Sequence, residues 1–321
     1  MRRPAAVAVT LLAAAALVLP PLAGASGYAV TVGISFLAFA VLATGLNLVY
    51  GYIGLLSFAQ VAFWAIGAYS AALLVVERGW AFLPAVAAGG LLALAAGIVV
   101  SYAALRLSRH SFAIVTLSFA LLSQLVARDW VELTRGPAGI PGLPAPILLL
   151  PGLGAVAIDT PVAFYWLMLA YAVVALAFVH RLVRSRIGRT MLAIRLDEAL
   201  AQAQGIDPLR YKLLAIGLSA LLSGIAGGIF VFHLTIVDPS ILDFYYTETM
   251  LIMVIVGGRG SFWGVLAAAA VFAVVPEALR AAPELRMVLY GAVLVAAMLA
   301  FPEGVGGWLR RRRVARWRRL A

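Results

Sequence analysis

Long apolar runs recur along the chain and are cut by short clusters of charge. They cover residues 5–22, 28–50, 53–76, 81–105, 112–127, 161–179, 213–237, 248–256, 262–277 and 287–301. An α-helix needs about 20 apolar residues to cross a ~30 Å hydrocarbon layer, so the pattern predicts an all-α polytopic membrane protein of about 10 transmembrane helices, some short or broken. Residues 248–256 would span only about half that layer at 1.5 Å per residue, which predicts a helix either extended by polar flanks or broken. The run 112–127 is also short. Gly51 and Gly54 interrupt what would otherwise be one run from residue 28 to 76. Backbone that leaves the helix at membrane depth must be shielded by protein or line a wet cavity.

Two polar stretches separate the runs. Residues 128–160 contain Gly136-Pro137-Ala138-Gly139-Ile140-Pro141-Gly142-Leu143-Pro144, a punctuation that excludes helix or strand interior and predicts a turn-rich loop. Residues 181–212 place apolar Met191, Leu192, Ile194, Ala199, Leu200 and Ala203 among Arg189, Arg195, Asp197 and Glu198. That spacing predicts one amphipathic helix over 191–204, ended by Gly205 before a turn at Asp207-Pro208. Within the runs, Ala220, Gly224 and Gly228 recur every four residues and Gly260 and Gly264 share the spacing, so helices can approach closely there.

Composition narrows the class. Hydrophobic residues make up 64% of the 321 and charged residues 12%, against about 45–50% and 25% in soluble domains, which argues against a soluble enzyme, a disordered chain or a secreted scaffold. The net charge of +11 would suggest nucleic acid in a soluble protein, but here it sorts by topology. With the ten runs threaded alternately from an inner N-terminus, the inner segments carry +15 and the outer ones −4, the asymmetry expected of a cytoplasmic inner side. Both termini are then cytoplasmic, residues 181–212 form a cytoplasmic segment within a single membrane domain, and residues 303–321 form a basic tail. That tail, with seven arginines plus Trp308 and Trp317, is expected on anionic lipid headgroups rather than on nucleic acid. Arg2 and Arg3 before an apolar stretch and Ala23-Gly24-Ala25 imitate a secretory signal; the expectation is a retained anchor.

Candidate chemistry is sparse. There is no cysteine, and His110, His180 and His233 are the only histidines. The first two fall at helix ends, and the third suits a helix-packing hydrogen bond. Lys212, the only lysine, follows Leu209-Arg210-Tyr211 and not the glycine-rich loop of a nucleotide site, so any ATP dependence has to come from a partner. No nucleophile, base and metal set suggests an enzyme, and no cofactor is expected. Uncharged polar residues within the runs are more informative. Asn47, Ser57, Gln60, Tyr69 and Thr116 are costly to turn toward lipid and either hold helices together or line a path for a small polar solute.

These residues carry a resemblance. Gly45-Leu46-Asn47-Leu48, Gly51 through Gln60 and Gly67-Ala68-Tyr69 resemble the signature of permease subunits of the branched-chain amino-acid family of ABC importers. Phe112 to Leu117, with Thr134, Gly136-Pro137, Gly139 and Gly142, is similar to the M-type subunit of the paired permeases in that family. Ile187-Gly188-Arg189 through Lys212, Asp238-Pro239-Ser240 and Gly257-Gly258-Arg259-Gly260-Ser261 resemble its later loops. The resemblance covers about residues 45 to 277. It implies a permease that pairs with a second homologous permease in a bacterial inner membrane, two ATP-binding subunits on the cytoplasmic face and an extracytoplasmic solute-binding protein. It also implies that the helix carrying Arg195, Asp197, Glu198 and Gly205, with Asp207 after it, couples to the ATPases, and that the loop at 136–144 faces the binding protein. A permease for urea or short amides uses similar motifs, and an ion-coupled secondary transporter is the rival from another class.

Overall fold

Glycine faces, more than large side chains, set the centre of the molecule. The computed structural model describes residues 27–150 and 154–278, with Gly291 and Gly304. Apart from those two glycines, the expected spans at 5–22 and 287–301 and the basic tail lie outside the described residues. Helices α1 (Gly27–Leu46), α2 (Gln60–Arg78), α3 (Phe82–Ala104), α4 (Arg109–Asp129) and α5 (Pro161–Arg184) come first. Two short helices, α6 (Arg186–Leu196) and α7 (Glu198–Ala203), follow, and then α8 (Pro208–Leu234), α9 (Phe244–Gly257) and α10 (Phe262–Ala278). Among the described residues, seven helical stretches are long and apolar enough to cross a membrane, and α10 adds a shorter one. The chain is an all-α polytopic membrane protein.

Helices α2, α3 and α8 pack together along small residues. A Cβ placed on Gly67 of α2 would lie 2.0 Å from the Gly224 carbonyl oxygen of α8, and one on Gly224 would lie 2.5 Å from the Ala93 Cβ of α3. The Ala220, Gly224 and Gly228 face thus meets α2 and α3, as its spacing predicts. Gly260 and Gly264 do not pair in this way. Gly260 lies in the loop before α10 and abuts Gly51, while Gly264 packs on Gly257. In α8, 72% of the most apolar stretch is buried, against 22% in α4. Helix α4 therefore turns Ile114, Leu121, Leu122 and Leu125 outward, a surface that suits lipid.

Several boundaries differ from the pattern's prediction. The fifth run is a full 21-residue helix, because Ser108 caps it by accepting the Ser111 amide at 3.2 Å and Arg109 and His110 are drawn in. The eighth is extended by its polar flank. A 3₁₀ turn, Pro239–Leu242, leads through Asp243 into α9. The run 53–76 does not begin as a helix. Helix α1 continues past Gly51 as a π-helical turn, Asn47–Ile53, which Gly54 ends at φ +85°. Gly54–Ala59 are not helical before α2 starts at Gln60. The glycine that breaks the helix is Gly54, because it takes the left-handed conformation that other residues adopt only at a cost.

Long-range contacts sort the connections into two groups at opposite ends of the bundle, as alternate threading requires. At one end, Arg195 reaches Gly51, Gly260 reaches Asn47, and Arg109 pairs with Glu198. At the other, β1 (Ile140–Pro141) pairs antiparallel with β4 (Ile236–Val237), and Gln124 donates to Asp243 at 3.2 Å. Strands β2 (Ile147–Leu150) and β3 (Gly154–Ala157) pair antiparallel with each other. The 136–144 loop is thus not wholly turn. Ile140 and Pro141 enter a strand because Gly139, where a Cβ would lie 2.3 Å from the Val237 carbonyl oxygen, lets the backbones close.

Candidate functional site

The break after α1 collects four of the five polar residues that hydropathy singles out. Asn47 is 1% exposed on the π turn, and its Oδ1 accepts the Gly260 amide at 2.9 Å. Ser57 accepts the Ala59 amide at 3.3 Å, and Thr116 of α4 accepts the Phe58 amide at 3.2 Å while donating to the Ala113 carbonyl at 2.9 Å. Those hydroxyls supply the partners that a non-helical backbone needs away from water. Gln60, also 1% exposed, is fully engaged. Its Nε2 donates to the Ser223 hydroxyl and to the Leu42 carbonyl at 3.4 Å, and its Oε1 accepts from Ser219 at 2.9 Å. It ties α1, α2 and α8 together.

Tyr69 stands apart from this group, buried on α2 with no hydrogen-bond partner for its hydroxyl. Asn47 Nδ2, Thr44 Oγ1 and Thr247 Oγ1 are likewise buried without partners. Thr44 and Asn47 are three residues apart and share one face of α1. Phe39, Leu42, Trp64, Phe230, Tyr246 and Met250 line an apolar cavity of about 10 Å³ among α1, α2, α8 and α9. That is room for at most one water, so the helices stand closed around it. His233 packs between Phe164 and Phe230 at ring distances of 5.5 and 6.1 Å, and His180 lies on Phe262 at 4.7 Å. Among the described residues, no three His, Cys, Asp or Glu side chains gather to hold a metal ion.

Between α5 and α8 the chain forms two helices, α6 and α7, where one is predicted over 191–204. Asp197 leaves the helical conformation at φ −152°, ψ 105°, and its Oδ1 accepts the Leu200 amide at 2.9 Å, so it caps α7 instead of continuing α6. An aspartate is among the best residues for that position. Gly205 closes α7 at φ +77°, where the Gly205 amide donates to Gln202 at 2.9 Å and the Ile206 amide to Ala201 at 3.1 Å, the paired bonds of a glycine-terminated helix. Asp207 caps α8 by accepting the Leu209 amide at 3.1 Å and pairs with Arg210 at 2.9 Å.

Three charges of this segment, Arg195, Glu198 and Lys212, are drawn into the protein, while Arg181, Arg184, Arg186, Arg189, Asp197, Asp207 and Arg210 are exposed. Glu198 pairs with Lys212, which is 9% exposed, and with Arg109 at 3.5 Å. Arg195 is half-buried and donates to the Gly51 carbonyl. A cleft of about 270 Å³ opens among Arg106, Glu198, Asp207 and Lys212. Among the exposed charges stand two exposed leucines, Leu196 at 85% and Leu200 at 59%. Leu196 lies on the side of α6 opposite the buried Gly188, Met191 and Ile194, and an apolar residue on the polar side of an amphipathic helix is the signal that could have singled it out.

Residues 28–298 match the family described as "Branched-chain amino acid transport system / permease component". The chain is 33% identical to the high-affinity branched-chain amino acid transport system permease protein LivM of Escherichia coli (strain K12), over 83% of this chain and 67% of that one. It is 32% identical to LivM of Salmonella typhimurium over the same shares. To LivH of Escherichia coli (strain K12) it is 27% identical, over 84% of this chain and 91% of that one. No solved structure matches it.

Proposed function

Because the chain belongs to the branched-chain amino acid transport permease family, we propose that it forms half of the pathway of an ABC importer for branched-chain amino acids in a bacterial inner membrane. It pairs with a second homologous permease and alternates between outward- and inward-open states. Two ATP-binding subunits on the cytoplasmic face hydrolyse ATP, and a solute-binding protein delivers the amino acid from outside to the loop at residues 136–144. The observation that supports this reading best is the shielded, non-helical Gly54–Ala59 stretch at the end of α1. Such backbone within a membrane protein belongs beside a pathway.

Within that reading the five polar residues divide. Ser57, Gln60 and Thr116 spend their polar atoms on the protein and hold the break in place. Asn47 and Tyr69 keep a buried polar atom unspent and face the solute when the helices around the apolar cavity part. Residues 181–212 are the cytoplasmic coupling segment. Asp197, Glu198, Gly205 and Asp207 fix its two-helix shape, and Leu196 and Leu200 are the apolar contacts that an ATPase groove covers.

Reconstitution tests both parts. Vesicles holding both permeases and both ATPases, supplied with binding protein, should accumulate leucine only with ATP. Uptake of urea without leucine, or leucine uptake by this chain without ATPases, would overturn the assignment. Leu196→Glu with Leu200→Glu, both exposed, should leave the permease folded by size-exclusion profile while ATPase co-purification falls at least tenfold. Full recovery of the complex would show that the segment is not the docking element.

A further inference from the structure

The coupling segment and the break after α1 are joined by one side chain. Arg195, on the last turn of α6, lays its stem over Gly54, where a Cβ would sit 2.9 Å from Arg195 Cγ, and its guanidinium donates to the Gly51 carbonyl. That carbonyl lies in the last turn of the π stretch, where carbonyls lack helical partners and carry the negative end of the helix dipole. A third element meets the same point. A Cβ on Gly260 would lie 3.0 Å from the Gly51 oxygen and 3.1 Å from Arg195 Nη1, and the Gly260 amide is bound to Asn47. The adjacent Arg259 donates to the Tyr50 hydroxyl at 3.2 Å and stands over its ring at 5.3 Å. Two arginines therefore grip successive residues of the π turn, one from the coupling segment and one from the loop between α9 and α10.

We propose that Arg195 is the residue through which movement of the coupling segment reaches the membrane-embedded break, by holding the Gly51 carbonyl at the junction of α1 with the α9–α10 loop. It is a positioning residue, since it acts through Gly51 and Asn47 and not on the solute. Gly51, Gly54 and Gly260 are glycines because the guanidinium and the two backbones occupy the space their side chains would fill. At Gly51 a Cβ would lie 1.9 Å from Asn47 Oδ1 and 2.4 Å from the Gly260 amide. The π turn suits the task, because single π turns within α-helices often mark functional places where a segment shifts register. When an ATPase pulls on α6 and α7, the bond to Gly51 carries α1 and, through Asn47, the α9–α10 loop with it.

This rests on the reading of residues 181–212 as the docking segment, and the two fail separately. The docking reading stands or falls with the Leu196 and Leu200 variants, whatever Arg195 does. For Arg195 the full complex in vesicles is compared with Arg195→Met, which keeps an apolar stem but no donor, and Arg195→Lys, which keeps a donor. ATP hydrolysis and leucine uptake are measured in the same vesicles. The expected result is that the methionine variant assembles with its ATPases and hydrolyses ATP within about twofold of the wild type, while leucine moved per ATP falls at least tenfold. The lysine variant recovers a substantial part of that ratio. An unchanged ratio in Arg195→Met overturns the proposal. So does loss of the assembled complex in that variant, which would assign Arg195 to assembly, and so does equal uncoupling in the lysine and methionine variants.

Discussion

Tyr69 carries a hydroxyl into the core and makes no bond with it. An unpaired buried hydroxyl is unfavourable by about 1–3 kcal/mol, so its removal should not weaken the fold. Tyr69→Phe is therefore expected to match or exceed the wild type in thermal melting while raising the KM for leucine uptake severalfold. An unchanged KM would remove Tyr69 from the pathway. Hydropathy alone picks out Asn47, Ser57, Gln60, Tyr69 and Thr116, since each interrupts an apolar run. The protein partners of most of them lie far away in sequence. Gln60 meets Ser223 across 163 positions, Asn47 meets Gly260 across 213 and Thr116 meets Phe58 across 58, so no local pattern shows which polar atoms the fold engages. Arg195 shows the same limit from the other side. As a charge on an amphipathic stretch it reads as a contact for a partner, whereas its guanidinium is committed to Gly51.

Among the helices, the tightest constraint is the glycine seam of α2, α3 and α8. Gly67→Ala would drive a Cβ to 2.0 Å from a backbone oxygen that cannot rotate away. Overpacking of this kind costs about 1–3 kcal/mol or more, and the variant should lose its monodisperse size-exclusion peak in detergent. Gly217→Ala is the control, because its Cβ would make ordinary contacts with Ile98 at 3.5 Å and Leu94 at 4.0 Å and alanine is favoured over glycine in a helix by about 1 kcal/mol. It should fold as well as the wild type or better. The apolar runs and the four-residue spacing of Ala220, Gly224 and Gly228 made most of these helices legible. Their ends were less so, for identifiable reasons. Ser108 and Asp197 act as caps where the runs suggested continuation or a late start, and the π turn has no periodicity of its own because it is one bulge at the end of a regular helix. Leu196 faces outward because it lies across α6 from the buried Gly188, Met191 and Ile194.

Over the whole molecule, the division of contacts between two ends follows from charge and alternation, which is why the threading anticipates which loops meet. Charge does not show that the meetings are so concentrated. At one end α1, the α6–α7 segment and the α9–α10 loop converge on Gly51, and this convergence fixes an order of events during synthesis. Arg195 lies 144 positions after Gly51, and Gly260 lies 213 after Asn47. At ribosomal speeds of about 5–20 residues per second, the guanidinium follows Gly51 by about 7–30 s and the Gly260 amide follows Asn47 by about 10–40 s. Until those residues emerge, the Gly51 carbonyl and the Asn47 side chain lack the partners that hold them in the folded chain. The joint at this end is complete only when the loop before α10 has emerged, so a polypeptide that stops short of that loop lacks the bond from the Gly260 amide to Asn47.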